Sequence, residues 1–219
     1  MKKQLLIGLL LMGTLAAGRA GIYSLGTVDV PGTSLGLLQN KTIVDGNPAS
    51  LTVNTMNLSS AGLGPSLSSL TVTLSITGGN NSGLYAYLVA PNDATVILMN
   101  QPGVSVNGFG ATGAGMNITL SDAFTSQGSI QSATSGSVLS GTYNAAGSLS
   151  GFGGGNPDGT WTLYFADTIA GGGDATLNGW SLDITAVPEP VNVALGVFGG
   201  LAAAFVGRRW FWRQRNRAV

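Results

Sequence analysis

An all-β fold, an antiparallel β-sandwich, is what the central part of this sequence predicts. The first observation is period-two alternation of apolar and polar residues in several short runs, as a strand with one buried face requires. The second is punctuation of those runs by turn chemistry, with 35 glycines in 219 residues supplying positive φ. The third is that no stretch between the N-terminal apolar run and residue 187 carries a 3.6-residue apolar stripe.

The elements follow in order. "SLTVN" (50–54) is the first and weakest candidate. "SLTVTLSI" (69–76) is the cleanest, with Leu70, Val72, Leu74 and Ile76 on one side and Thr71, Thr73 and Ser75 on the other. "LYAYLV" (84–89), "TVILM" (95–99) and "MNITL" (116–120) continue the series, and "WTLYF" (161–165) and "WSLDI" (180–184) end it. Between them lie the loop signals "GGNNSG", "APND", "GGGNPDG" and "IAGGGDA". Residues 21–42 are expected to contribute an edge strand, and the Gly/Ser-rich 100–115 and 125–155 to be loops or irregular edge strands. Trp161 and Trp180 are expected in the core. Tyr85 and Tyr87 alternate with Leu84, Ala86 and Leu88, so one of these sets faces solvent, and an exposed tyrosine pair would offer a surface for stacking on sugar rings.

Charge divides the chain sharply. Between residues 21 and 186 a single lysine, Lys41, stands against eight aspartates, a net charge of −7. Such a surface repels phosphate backbones, which excludes nucleic acid as a partner. The other basic residues lie at the ends. "MKKQLLIGLLLMGTLAAGRAG" has a lysine pair, an apolar stretch from Leu5 to Ala17, and small residues that predict cleavage after Ala20; residues 1–20 read as a secretory signal peptide handled by the Sec translocon and signal peptidase. At the other end Val191 to Val206 is almost wholly apolar, a helix of roughly 24 Å that reads as one transmembrane segment with Trp210 and Trp212 at the interface. Arg208, Arg209, Arg213, Arg215 and Arg217 predict a cytoplasmic tail, with the domain of residues 21–186 outside the inner membrane.

The residue inventory limits chemistry. There is no cysteine and no histidine, so disulfides, thiolate sites, Ser-His-Asp catalysis and the usual zinc and copper ligands are gone. Lys41, in the polar run "QNKT", reads as an exposed side chain rather than half of a Ser-Lys dyad. Gly108, Gly110 and Gly113 spell a dinucleotide fingerprint but lead into a strand, not into a helix as that fingerprint requires. The Asp residues read as turn caps rather than a glycosidase pair. One metal reading is sharper: Asp158, Asp167 and Asp174 flank the loops around "WTLYF" and would form a Ca²⁺ site if they converged at one end of the sandwich. The competing reading is that each satisfies its own turn. No other cofactor is expected.

Two resemblances add to this. Ala90-Pro91-Asn92, then Gly159, Trp161, Leu163 and Asp167, then Leu177, Trp180 and Leu182 resemble the P domain (P/Homo B domain) that follows the catalytic domain of proprotein convertases. The resemblance covers about 43–186 and implies a jelly-roll-like sandwich. Here Gly83-Leu84 stands where that family has Asp-Leu, and Ala-Pro replaces Ser-Pro. The family's catalytic domain is absent from these residues, so its peptidase activity does not carry over. Val187-Pro188-Glu189-Pro190, the apolar run and the arginine tail together look like a PEP-CTERM sorting signal. That resemblance implies an exosortase as partner and delivery to the cell surface or the extracellular matrix. The expectation is an exported, non-enzymatic surface protein. The alternatives are a carbohydrate- or protein-binding module, with exopolysaccharide or surface proteins as partners and calcium as a stabiliser, and an accessory domain of a separate serine peptidase.

Overall fold

A computed structural model of the chain describes residues 20–25, 40–59, 61, 63, 65–123, 125–134, 136–187 and 198–202. Ten strands appear in chain order: β1 Ala20–Leu25, β2 Lys41–Ile43, β3 Thr52–Asn57, β4 Ser66–Gly78, β5 Leu84–Val89, β6 Thr95–Asn100, β7 Met116–Ser121, β8 Leu139–Tyr143, β9 Thr160–Asp167 and β10 Ala175–Val187. They form two sheets. One is ordered β1-β10-β4-β7-β8 with β2 also paired to β10; the other is β3-β9-β5-β6.

The alternation read in the sequence explains why the two sheets face each other. Leu70, Val72, Leu74 and Ile76 of β4 and Met116, Ile118 and Leu120 of β7 are buried on the inner face of the larger sheet. Leu84, Ala86 and Leu88 of β5 and Trp161, Leu163 and Phe165 of β9 are buried on the inner face of the smaller one. The two predicted core tryptophans are buried, and both find a partner for the indole N–H, as a buried indole must. Trp161 Nε1 donates to Pro157 O at 2.9 Å, and Trp180 Nε1 donates to Asn54 Oδ1 at 3.1 Å, the latter tying β10 of one sheet to β3 of the other.

Three bulges keep the apolar side chains in phase. Leu177 and Trp180 are three residues apart, which in a regular strand puts them on opposite faces; the register shift between Leu177 and Gly179 turns both inward. A second shift does the same for Leu67 and Leu70 of β4, where Ala186 pairs with Leu67 and Thr185 with Ser69. On β6 the shift opposite Ala86 and Tyr87 lets the adjacent Leu98 and Met99 both be buried.

The structure departs from the sequence reading in four places. The sandwich is not wholly antiparallel, because β7 and β8 pair in parallel. Residues 125–155 contain that strand together with 3-10 turns at Ile130–Ser132 and Leu149–Phe152, and residues 100–115 contain the four-residue helix α1, Val104–Asn107. Lys41 is half-buried on β2 rather than exposed, since its strand lies against β10. Ala20, expected as the last residue of the signal peptide, opens β1 and pairs with Thr185; Gly21–Leu25 supply the expected edge strand.

Among the described residues, those between 20 and 187 belong to one compact unit and 198–202 to a second. Of that unit only 198–202 are described, and they are helical. Among the described residues no helix is long and apolar enough to cross a membrane. The predicted signal peptide up to residue 19, Pro188 to Pro190, most of the predicted span and the five tail arginines lie outside the described residues. Val187 is the last residue of β10, one residue beyond the predicted end of the final strand.

Candidate functional site

β3, β9, β5 and β6 turn their second side-chain set outward, and the register brings four large side chains into one row. Tyr164 of β9 pairs with Val53 of β3 on one side and with Tyr87 of β5 on the other, and Tyr87 in turn pairs with Ile97 of β6. Period two therefore resolves the tyrosine question: Leu84, Ala86 and Leu88 go to the core, and Tyr85 and Tyr87 go to the surface. Val53 and Ile97 at the ends of the row are each 40% exposed, and Tyr85, Tyr87 and Tyr164 are half-buried.

Ring geometry defines what this row presents. Tyr87 and Tyr164 stack at 4.6 Å between centroids and 8° from parallel, close to the ~4.8 Å spacing of adjacent strands. The two rings therefore stand on the sheet side by side, flat against each other, with their rims and hydroxyls outward. Tyr85 lies 6.0 Å from Tyr87 and is tilted by 56°, so its ring plane crosses the row. Burial pushes the Tyr87 phenol above its ordinary pKa of 10.0, and the neighbouring Tyr164 and Tyr85 add to the shift. The outward residues of these four strands, mostly Thr, Tyr, Val and Asn, include no charged side chain.

Beside the row, along β6, lies an open groove of ≈ 570 Å³ lined by Thr95, Ile97, Asn100, Gln131, Gly147 and Ser148 among others. Its floor is built by side chain–backbone pairing. Gln131 accepts from Asn100 N through Oε1 at 2.9 Å and donates to Asn100 O through Nε2, replacing a missing neighbour strand. Gly147 N donates to Ile97 O at 2.8 Å, which holds the 146–148 segment against β6.

The other sheet presents a different outer face. It consists of short hydroxyl residues, with Thr73 and Thr119 within hydrogen-bonding distance of each other at 3.1 Å, and it includes the exposed Asp183.

The predicted calcium ligands do not all come together: Asp174 lies near enough to Asp167 for its charge to act on it, whereas Asp158 is remote from both. Asp158 and Asp167 lie beyond and at opposite ends of the eight-residue β9, and Asp158 Oδ1 accepts from Leu63 N at 3.1 Å. Among the described residues no group of three or more acidic side chains is placed to hold a metal ion. The aspartates serve loops instead. Asp45, which sequence reasoning passed over, accepts from Gly171 N through Oδ2 at 2.9 Å and from Gly172 N through Oδ1 at 3.2 Å. Its own N–H donates to Asp174 Oδ1 at 2.9 Å, so the two loops are clamped reciprocally. The Gly171 N–H is the main reason the Asp45 carboxyl lies below its ordinary pKa; burial, the next-largest influence, opposes it, and the Gly172 and Gly173 amides add to the lowering.

Asp167 has no access to solvent. Oδ1 accepts from Ile169 N at 3.0 Å, while Oδ2 has no hydrogen-bond partner among the described residues. Burial raises its pKa above the ordinary 3.8; the charges of Asp45 and Asp174 reinforce that shift, and the amides of Ile169 and Gly46 oppose it. Gly83 packs directly against its carboxylate.

No family model matches the chain, and no curated protein matches it. Among solved structures the chain is similar to the serine protease of Aeromonas sobria, both in complex with its chaperone, at 15% identity and a TM-score of 0.42, and by itself, at 14% and 0.43. Each match covers 76% of this chain and 26% of the other, so the chain spans about a quarter of the length of those proteases.

Proposed function

We propose that the chain is an exported, non-enzymatic surface or matrix protein: a jelly-roll-like sandwich delivered by a signal peptide, held in the inner membrane near residues 191–207, and handed to an exosortase that reads Pro188-Glu189-Pro190. The observation that supports this most is where the fold ends. β10 runs to Val187, and the next residue is Pro188, which has no N–H to offer a sheet ladder. A tag that starts after the last ladder residue is separable from the domain it follows. The composition supports the non-enzymatic part, because histidine and cysteine are absent and Asp45, Asp158 and Asp174 are engaged in loop hydrogen bonds.

The test is the intact mass of the mature protein recovered from cells, for the natural chain and for Glu189→Ala. Loss of the arginine tail in the natural chain and its retention in the variant is the expected result. Identical C-termini, both keeping the tail, refute the sorting reading.

A second reading, of the displayed sandwich as a binding module, is favoured by one observation: the uncharged row Val53–Tyr164–Tyr87–Ile97 on an otherwise acidic domain.

A further inference from the structure

We infer that the outer face of the β3-β9-β5-β6 sheet, with the groove along β6, binds a neutral polysaccharide. The inference deepens the binding-module reading and rests on it. Three arguments narrow the ligand to that class.

Charge comes first. The described part of the sandwich carries seven aspartates and one lysine, and none of these is among the outward residues of the four strands. A polyanion, whether polyuronate or polyphosphate, meets only repulsion from such a domain. A neutral polymer does not.

Size comes next. Four strands at ~4.8 Å spacing and about six residues at ~3.4 Å rise give a patch of roughly 300 Å², well under the ~800 Å² per partner of a stable protein interface. The same patch accommodates a short run of sugar rings.

Chemistry comes last. A sugar ring presents C–H groups and hydroxyls in alternation, and the row offers the same mixture. Tyr87 and Tyr164 present ring rims and phenol hydroxyls, Val53 and Ile97 present apolar flanks, and the tilted Tyr85 turns a ring plane across the row. The exposed Asn100 at the groove's mouth supplies an amide with both donors and an acceptor for vicinal hydroxyls. Apolar body with a few convergent polar groups is the general design of small-ligand sites.

The experiment is co-sedimentation of the purified full chain, in mild detergent, with an insoluble neutral β-glucan. A polyuronate gel is the second arm, and sedimentation velocity over a range of protein concentrations is the third. Binding to the glucan that 1 M NaCl leaves unchanged is expected, with no binding to polyuronate. The Tyr87→Ser/Tyr164→Ser pair should weaken it at least tenfold, and Asn100→Ala several-fold. Circular dichroism checks that each variant is folded, and Asn100→Ala, which removes an exposed side chain, keeps the test decisive if the tyrosine pair unfolds. Failure to bind the glucan, binding that both the tyrosine and the Asn100 variants leave intact, salt-sensitive polyuronate binding, or a concentration-dependent dimer that the tyrosine variants abolish would each overturn the inference. Glu189 takes no part in this measurement. Glucan binding by the purified chain, together with identical tail-bearing C-termini for the natural chain and Glu189→Ala recovered from cells, would overturn the sorting proposal alone.

Discussion

The rings of Tyr87 and Tyr164 lie 4.6 Å apart and 8° from parallel across the β5–β9 pair, directly opposite each other in the ladder. Directly opposed residues are the unit of sheet stabilisation, and an aromatic pair contributes beyond the area it buries. A double-mutant cycle on Tyr87→Ala and Tyr164→Ala, followed by urea unfolding, should give a coupling energy of about 0.5–1.5 kcal/mol. Strict additivity would show that the stack adds nothing to the fold.

The two clamped loops make stability depend on pH in opposing ways. Asp45 has its pKa lowered by loop amides, so its contribution is present above the ordinary 3.8 and is lost as pH falls through the lower folded value. Asp167 has its pKa raised by burial, so its contribution is present below 3.8 and is lost as pH rises through the higher folded value. Asp45→Asn should therefore lower Tm at pH 7, with the gap to the natural chain closing below pH 3.8. Asp167→Asn should gain on the natural chain as pH rises above 3.8, levelling off once pH passes the higher folded value, because the amide has no charge to bury. Tm differences that are flat with pH would contradict both assignments.

Gly83 and Asp167 fit together only because Gly83 has no side chain. A Cβ there would overlap Asp167 Oδ1 and lie 3.0 Å from Cγ, so the requirement is space rather than backbone conformation. Gly83→Ala should cost about 1–3 kcal/mol, the usual range for overpacking. Combining it with Asp167→Ala should cost less than the two separate losses added together, because the clash disappears with the carboxylate. Full additivity would mean that the two residues do not touch in solution.

Much of the sandwich was legible because alternation is a local signal. β5 was read at its observed bounds, Leu84–Val89, and the core of β4 followed from Leu70, Val72, Leu74 and Ile76. What escaped depends on partners distant in sequence. Leu177 and Trp180 look out of phase until a bulge aligns them; Gly179, a glycine inside the strand pattern, is its local signal, but the pairing with β4 is what fixes it. β8 is an edge strand within the stretch expected to hold loops or irregular edge strands, but its bounds were not legible, because only its two end residues are buried, leaving three exposed positions between them and no alternation. The binding face was half legible. The outward tyrosine set was among the readings open from β5, but the row needs Val53, Tyr164 and Ile97, which only the strand order brings to Tyr87. The three-aspartate set was incomplete for a matching reason: closeness in sequence around β9 put Asp158 and Asp167 at its two ends, while Asp174 lies near Asp167.

β10 ends the described sandwich at Val187, and under the proposed function residues 188–219 serve as an address. Thermal unfolding of the full chain in mild detergent, compared in the same detergent with a chain ending at Val187, tests it most directly. One cooperative transition with Tm unchanged within about 2 °C, less than a 1 kcal/mol loss would produce in a domain of this size, is the expected result. Loss of the transition, or a fall in Tm of 10 °C or more, would show that residues 188–219 hold the sandwich together.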